Sequence, residues 1–266
     1  MIKVVIPISG GKDSQACLKL ALKEYNSDEV LGVFCDTKFE HPLTYQHIAN
    51  MEAIYGVQIV KLNDGDVYEK IRKYGRFPTD QARFCTDELK ISVGKFFYSM
   101  LARLQNEGFE IWYGMRLGES KQREKRYEHI SPEHLYFARE ALGKKYPKYL
   151  DRMGIKVKLP IVWMSDEDVF DFLNGEHNPL YDKGFERVGC FPCLASGDRW
   201  KEKAFSLDEV GRQRRIDILN IGKEIGKNIF TSKGGRLRNP DATFQQDEQT
   251  MADLFDDLAP CFHCNI

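Results

Sequence analysis

The sequence predicts an α/β protein, a parallel twisted sheet flanked by helices and followed by a mainly helical C-terminal extension. Short β-rich runs alternate with longer helical patterns through the first half of the chain, the arrangement that produces a parallel sheet covered by helices. A glycine-rich turn, Ser9-Gly10-Gly11-Lys12-Asp13-Ser14, joins the first such run to the first helix. The 266 residues are 42% hydrophobic and 30% charged, ordinary globular proportions with enough apolar material for a full core.

Taken in order, Lys3–Ile8 (KVVIPI) reads as a buried strand, and Lys12–Glu24 as a helix with apolar positions at Cys17, Leu18, Leu20, Ala21 and Leu22. Val30–Asp36 is a second strand, Leu43–Tyr55 a helix and Val57–Leu62 a third strand. A helix follows over Thr86–Leu104, then strands at Glu110–Tyr113 and Ile155–Leu159. Ser165–Asn174 reads as a short helix with Ser165 as N-cap and Asp168 at the third helical position. Beyond residue 195 the pattern changes to a basic amphipathic helix over Leu207–Ile225, a loop over Gly234–Pro240 and an acidic helix over Asp247–Leu258. The division expected is a nucleotide-binding α/β domain over 1–195 and an extension over 196–266.

The formal net charge is −1, from 39 basic and 40 acidic residues, so no whole-chain field points to a polyanion or a membrane. Locally the balance differs. Arg116–Lys158 holds twelve basic and six acidic residues, and Arg199–Arg238 eleven and five. These stretches are either solvated helix faces or a basic rim around an anionic substrate. No apolar run approaches the roughly 18–20 residues of a spanning helix, and the first residues lack the pattern of a secretory leader. A soluble, cytoplasmic protein without a membrane partner is expected.

The turn after the first strand carries the clearest chemistry. Gly10 and Gly11 permit a tight backbone path on which N–H groups converge, and the helix N-terminus adds partial positive charge. Ser9 and Ser14 supply hydroxyl donors, Lys12 a neutralising charge, and Asp13 a helix cap or a share of a metal ion that accompanies a nucleotide. The spacing is not that of GxxxxGK[ST]. The simpler reading, a glycine turn before a helix, involves the same residues.

Cysteine is the second signal. Of seven cysteines, Cys190/Cys193 and Cys261/Cys264 form two CxxC pairs, the spacing at which two thiolates reach one metal or each other. Cys17 and Cys35 read as small core residues. His41, His47, His129, His134 and His177 show no ligand spacing and read as ordinary surface or helix residues.

The segment SGGKDS resembles the PP-loop of the N-type ATP pyrophosphatases and their relatives, the phosphoadenylyl-sulfate (PAPS) reductase family. Five further segments extend the resemblance through residue 195: Phe34-Cys35-Asp36-Thr37; Arg83-Phe84-Cys85-Thr86 with Leu89-Lys90; Gly114-Met115-Arg116 with Glu119-Ser120 and Arg123; Leu159-Pro160-Ile161 with Trp163 and Asp168; and Asn178-Pro179-Leu180-Tyr181 leading to Gly189-Cys190-Phe191-Pro192-Cys193. The resemblance implies an adenine nucleotide alpha hydrolase-like, Rossmann-like fold. It also implies a site for ATP or an adenylyl-sulfate-type nucleotide, built from Ser9, Gly10, Gly11, Lys12, Asp13, Ser14, Asp36, Thr37, Gly114, Arg116, Glu119, Ser120 and Arg123.

The same resemblance implies a metal centre on Cys85, Cys190 and Cys193, with Cys264 as fourth ligand: a [4Fe–4S] cluster, or zinc as the alternative. Where adenylyl-sulfate reductases carry adjacent cysteines, this chain has Phe84 before Cys85. The fourth ligand therefore comes from Cys261 or Cys264, or the cluster keeps three protein ligands and an open iron. Two mechanisms are implied. In the first, ATP with Mg²⁺, which Asp13 helps to hold, is attacked at its α-phosphorus, pyrophosphate leaves stabilised by Lys12, Ser9 and Ser14, and sulfur displaces the adenylate. The acceptor would be DNA or tRNA and the sulfur source a cysteine desulfurase. In the second, a thiolate of Cys261 or Cys264 attacks adenylyl sulfate or PAPS, and a thioredoxin-type reductant releases sulfite. A third reading is a regulatory nucleotide-binding module stapled by zinc.

Overall fold

The computed structural model describes residues 1–143 and 146–230. The expected loop at Gly234–Pro240, the helix at Asp247–Leu258, and Cys261, His263 and Cys264 lie outside the described residues.

Strands β1 (Val4–Ile8), β2 (Val30–Cys35), β3 (Gln58–Leu62), β4 (Glu110–Trp112), β5 (Tyr136–Phe137) and β6 (Lys156–Lys158) form one sheet in the order β3-β2-β1-β4-β6-β5. All neighbours are parallel except β5, which runs antiparallel to β6. The sheet is α/β and Rossmann-like, as the alternation predicts. Val4 pairs with Val30 on one side and Glu110 on the other, so the chain order reverses between β1 and β4. In open α/β sheets ligands bind at that reversal, beyond the carboxyl ends of the strands.

Both faces of the sheet are covered, which is why β1 is apolar along its whole length. Val4, Ile6 and Ile8 face one side, where α1 (Lys12–Glu24) and α2 (Pro42–Tyr55) contribute Ala16, Cys17, Leu18, Ile48 and Met51. Val5 faces the other, among Leu31, Val33, Ile111, Phe97 and Tyr98. Helix α2 starts at Pro42 with His41 as N-cap and ends at Gly56 in the left-handed conformation.

Three sequence expectations need revision. Helix α3 (Val67–Tyr74) was not foreseen, although Asp66 and Glu69 form a capping box and Gly75 closes it. At eight residues it is too short for periodicity to announce. The helix expected over Thr86–Leu104 is instead α4 (Phe84–Thr86), a π-helical turn over Asp87–Ser92 and α5 (Val93–Gln105). Downstream, α6 (Lys121–Tyr127), α7 (Ala138–Leu142), α8 (Lys148–Arg152) and the two-residue strand β5 were also missed. The short helix before residue 195 is as expected: α9 (Asp166–Leu173) has Ser165 and Asp168 in a reciprocal capping box.

The basic helix of the extension is preceded by a separate one. Helix α10 (Asp198–Leu207) ends at Asp208, whose side chain caps α11 (Glu209–Ile225) by accepting from the Gly211 N–H at 3.0 Å. Both helices join a third apolar cluster in which Phe205, Ile218 and Ile221 meet Phe39, Ile71, Phe84 and Leu89. Phe205 is 2% exposed. Phe205→Ala is expected to cost about 3–5 kcal/mol in urea unfolding. A loss below 1 kcal/mol would show that α10 does not share this core.

Candidate functional site

The site is built from the start of α1. Gly10 has φ +75°, and a Cβ there would fall 2.4 Å from the Thr44 side chain, so this position requires glycine. Gly11 is the N-cap of α1 and has no side chain of its own to cap the helix. An anion is the natural complement of such a terminus. Ser9 and Ser14 brace the turn: the Ser14 hydroxyl donates to the Gly11 carbonyl at 2.9 Å, accepts from the Ser9 N–H at 3.2 Å and lies 3.2 Å from the Ser9 hydroxyl. The Asn178 amide donates to the Gly10 carbonyl at 3.0 Å, and the Lys12 N–H donates to the Tyr181 hydroxyl at 3.0 Å. The Asn178–Tyr181 segment therefore holds the turn from the outside.

Beside the turn stand four charges. Lys12 Nζ lies 3.0 Å from Asp13 Oδ1 and 2.7 Å from Asp166 Oδ1; Arg116 reaches the same atoms at 2.8 and 2.7 Å. Lys12 and Arg116 are buried, whereas the Asp166 side chain is 68% exposed. Burial alone would push the Asp166 carboxyl up, but Lys12 and Arg116 hold it below its ordinary value. Asp166 did not emerge from sequence reasoning as a site residue. It belongs to the first turn of α9, and only the fold sets it against Lys12.

The other residues expected at a nucleotide site divide by what they touch. Gly114 ends β4 against α1: a Cβ would sit 2.7 Å from the backbone carbon of Asp13. Ser120 caps α6 by accepting from the Arg123 N–H at 3.2 Å, and Glu119 is ion-paired with Arg123 inside the protein. Asp36 and Thr37 follow β2. Asp36 Oδ1 accepts from the Lys38 N–H at 2.8 Å and the Tyr45 hydroxyl at 2.7 Å. A narrow cavity of about 30 Å³ opens at the strand ends between Ser9, Cys35, Lys90 and the tyrosines Tyr98, Tyr113 and Tyr146. Cys35 lines this crevice, half-buried, and is not the core residue expected; Cys17 is.

A second cavity, of about 110 Å³, brings Cys85, Cys190 and Cys193 to one wall together with Arg83, Lys90 and Arg187. Lys90, on the π-helical turn, lines both cavities. Burial pushes the Cys190 thiol up to about 12, opposed by the Lys90 charge and reinforced by Glu40 and Cys85. The three thiols are a soft donor set suited to iron or zinc, whose binding would displace protons. Among the described residues, no three His, Cys, Asp or Glu side chains converge as closely as one metal ion requires.

Glu40 was not singled out in the sequence, yet it links Cys190 of the second cavity to Tyr45 and Thr37 beyond β2. It is 2% exposed and forms an antiparallel bridge with Cys190. Its carboxylate accepts from the Thr37 hydroxyl at 2.9 Å, the Phe39 N–H at 3.2 Å, the Tyr45 hydroxyl at 3.3 Å and the Cys190 thiol at 3.7 Å.

Two histidines read as ordinary are buried structural groups. His41 accepts from the Leu43 N–H through Nδ1 at 3.1 Å, and its Nε2 meets Asp208 at 2.9 Å, tying α2 to α11. His47 Nε2 lies 2.9 Å from the Gln15 side-chain amide oxygen Oε1 behind the turn. Burial, aided by His177, lowers the His47 pKa to about 4. Between the ordinary value of 6.5 and about 4, the unfolded chain binds a proton that the folded one refuses. Stability should therefore fall as pH drops through that window, by about 2 kcal/mol. Urea unfolding near neutral pH and near pH 4.5 should show this slope, and His47→Gln should remove it. An unchanged slope in the variant would refute the assignment.

Comparison with known proteins covers the same segment as these motifs. Residues 3–196 match the family model described as phosphoadenosine phosphosulfate reductase domain. Among curated proteins, the chain is similar to an uncharacterized protein of Methanocaldococcus jannaschii, with 31% identity over 195 residues, 72% of this chain and 36% of that one. It is also similar to an uncharacterized 37.8 kDa protein of Escherichia phage 186, with 27% identity over 239 residues, 71% of this chain and 66% of that one. The chain thus spans about a third of the archaeal relative's length and about two thirds of the phage relative's. Among solved structures, the phosphoadenylyl-sulfate reductase of Candida auris aligns at 16% identity and TM-score 0.47, over 72% of this chain and 82% of that one. The FMN adenylyltransferase of Candida glabrata, in complex with ATP, aligns at 17% and 0.45, over 72% and 53%.

Proposed function

Because the chain belongs to the phosphoadenosine phosphosulfate reductase domain family, we propose that it is a PP-loop enzyme performing ATP pyrophosphatase-type adenylation coupled to iron–sulfur-dependent sulfur transfer. One observation carries the reading: a glycine-turned helix terminus flanked by Lys12 and Arg116 packs at Gly11 against Val188, a residue of the cavity lined by three thiols. The adenine nucleotide sits in the crevice at the strand ends with its phosphates on residues 9–14. Ser9 and Ser14 orient the phosphates, and Lys12 and Arg116 neutralise the charge that builds on the leaving pyrophosphate. Asp13 and Asp166 keep both cations in place and present carboxylate oxygens to the Mg²⁺ that accompanies the nucleotide. An acceptor oxygen attacks the α-phosphorus as the bond to pyrophosphate breaks, and sulfur then displaces AMP.

Cys85, Cys190 and Cys193 would hold the cluster, with Cys264 as fourth ligand. Three thiols lining one cavity are soft donors of the kind such a cluster takes, with zinc as the alternative. When bound, the cluster supplies a thiophilic centre for the sulfur being moved. Lys121 and Lys125 on α6 and Arg212 on α11 are exposed cations suited to the phosphate backbone of a DNA or tRNA acceptor. A cysteine desulfurase would replenish the sulfur.

The family's own description favours a second reading, in which Cys261 or Cys264 attacks adenylyl sulfate or PAPS, and a thioredoxin-type thiol releases sulfite. The test follows pyrophosphate from ATP beside sulfite from both sulfonucleotides, on anaerobically purified protein. Pyrophosphate release that falls at least about a hundredfold in Lys12→Ala, with the fold intact, is expected. Sulfite release that depends on Cys261 or Cys264 would replace this reading with the second. Iron and sulfide analysis should find both elements, and their loss in Cys190→Ser. Colourless protein carrying one zinc would overturn the cluster.

A further inference from the structure

The loop after β2 contains an arrangement that neither cavity explains by itself. The Tyr45 hydroxyl has one proton and faces two buried carboxylates, Asp36 Oδ1 at 2.7 Å and Glu40 Oε2 at 3.3 Å. Asp36 Oδ1 already accepts from the Lys38 N–H, so its two lone pairs are filled when Tyr45 donates to it. A further donor arriving at that oxygen must displace Tyr45, and the nearest other acceptor is Glu40. Glu40 in turn shares Oε1 between the Thr37 hydroxyl and the Cys190 thiol, while Thr37 lies 3.5 Å from the same sulfur. A buried carboxylate is costly unless donors satisfy it, and here the donors come from two sides: Tyr45, which also holds Asp36 next to the crevice-lining Cys35, and Cys190 of the thiol cavity.

We propose that Tyr45 is a positioning residue whose hydroxyl moves from Asp36 to Glu40 when a ribose hydroxyl engages Asp36 at Oδ1, the oxygen Tyr45 holds, so that nucleotide binding resets the hold of Glu40 on Cys190. Burial and the Asp36 hydrogen bond push the Tyr45 pKa up, so the hydroxyl keeps its proton and remains a donor in either position. The two hydrogen-bonded arrangements are the discrete states that coupling between separated sites requires. The segment that responds is the strand-like contact Phe39–Glu40 with Cys190–Phe191, which the Phe191 N–H closes on the Phe39 carbonyl at 2.7 Å.

The inference rests on the nucleotide reading above, and hydrogen–deuterium exchange of the full chain as purified, with and without ATP, separates the two. In the wild type, ATP should slow exchange at residues 9–14 and also change it at least about fivefold at 187–194, the lower end of ordinary coupling. Tyr45→Phe, which removes only the hydroxyl, should keep the effect at 9–14 and lose it at 187–194. Glu40→Gln, which puts an amide donor on the carboxylate, should behave alike and guards against a packing defect in either variant. A Tyr45→Phe protein whose 187–194 segment still responds would overturn the proposal. So would a wild type protected at 9–14 alone. A wild type that ATP leaves unchanged throughout would overturn the nucleotide reading, and the coupling with it.

Discussion

Lys12, Asp13, Arg116 and Asp166 stand within ion-pair distance at the buried start of α1, and the placement of the site follows from that contact. Lys12 and Asp13 come from the first helical turn, Arg116 from the chain beyond β4, and Asp166 from the first turn of α9. Holding two buried cations requires carboxylates nearby, since an unpaired buried charge is prohibitive. The pairs therefore fix where the end of β4 and the start of α9 lie relative to the glycine turn. Gly114 allows the approach, because any side chain there would meet the α1 backbone. The N-cap, Gly11, has no side chain of its own to offer, and Tyr181 accepts from the Lys12 N–H in its place.

The second half of the site depends on the first through the chain that leaves β2. Cys35 at the end of β2 lines the crevice, Asp36 follows it, and Glu40, four residues further on, bonds to Cys190. Phe39 between them belongs to the apolar cluster that α10 and α11 complete. His41 follows, and its two ring nitrogens tie the start of α2 to the cap of α11. The seven residues 35–41 thus touch the crevice, the thiol cavity and the C-terminal helices. This explains why polar groups as costly as Glu40 and Thr37 are buried there.

Much of this was legible in the sequence where the signal is local. The helix bounds at Lys12 and Glu24, the Ser165–Asp168 capping box and the glycine turn are each specified by a few adjacent residues, because caps and tight turns depend on neighbours within one helical turn. The alternation of strands and helices also sufficed for the sheet. What failed did so for physical reasons. Helix α3 and helices α6 to α8 are too short for periodicity, and the π-helical turn at Asp87–Ser92 changes no composition. His41, His47 and Cys35 were misplaced because burial of a polar or sulfur-bearing side chain is set by what packs over it.

By itself, then, the sequence determined the α/β class, the glycine turn between the first strand and the first helix, and the family. Only the tertiary structure decided that Asp166 closes on Lys12 and that Cys85 shares a cavity with Cys190 and Cys193. It also set Tyr45 between Asp36 and Glu40. Each of these contacts except Tyr45's joins residues scores of positions apart. Tyr45 itself reaches back from α2, one helical turn in, to a loop whose path the sheet and α10–α11 impose. Hydrogen bonds and ion pairs of that kind act over a few ångströms of space, and the distance along the chain carries no information about them until the core has folded.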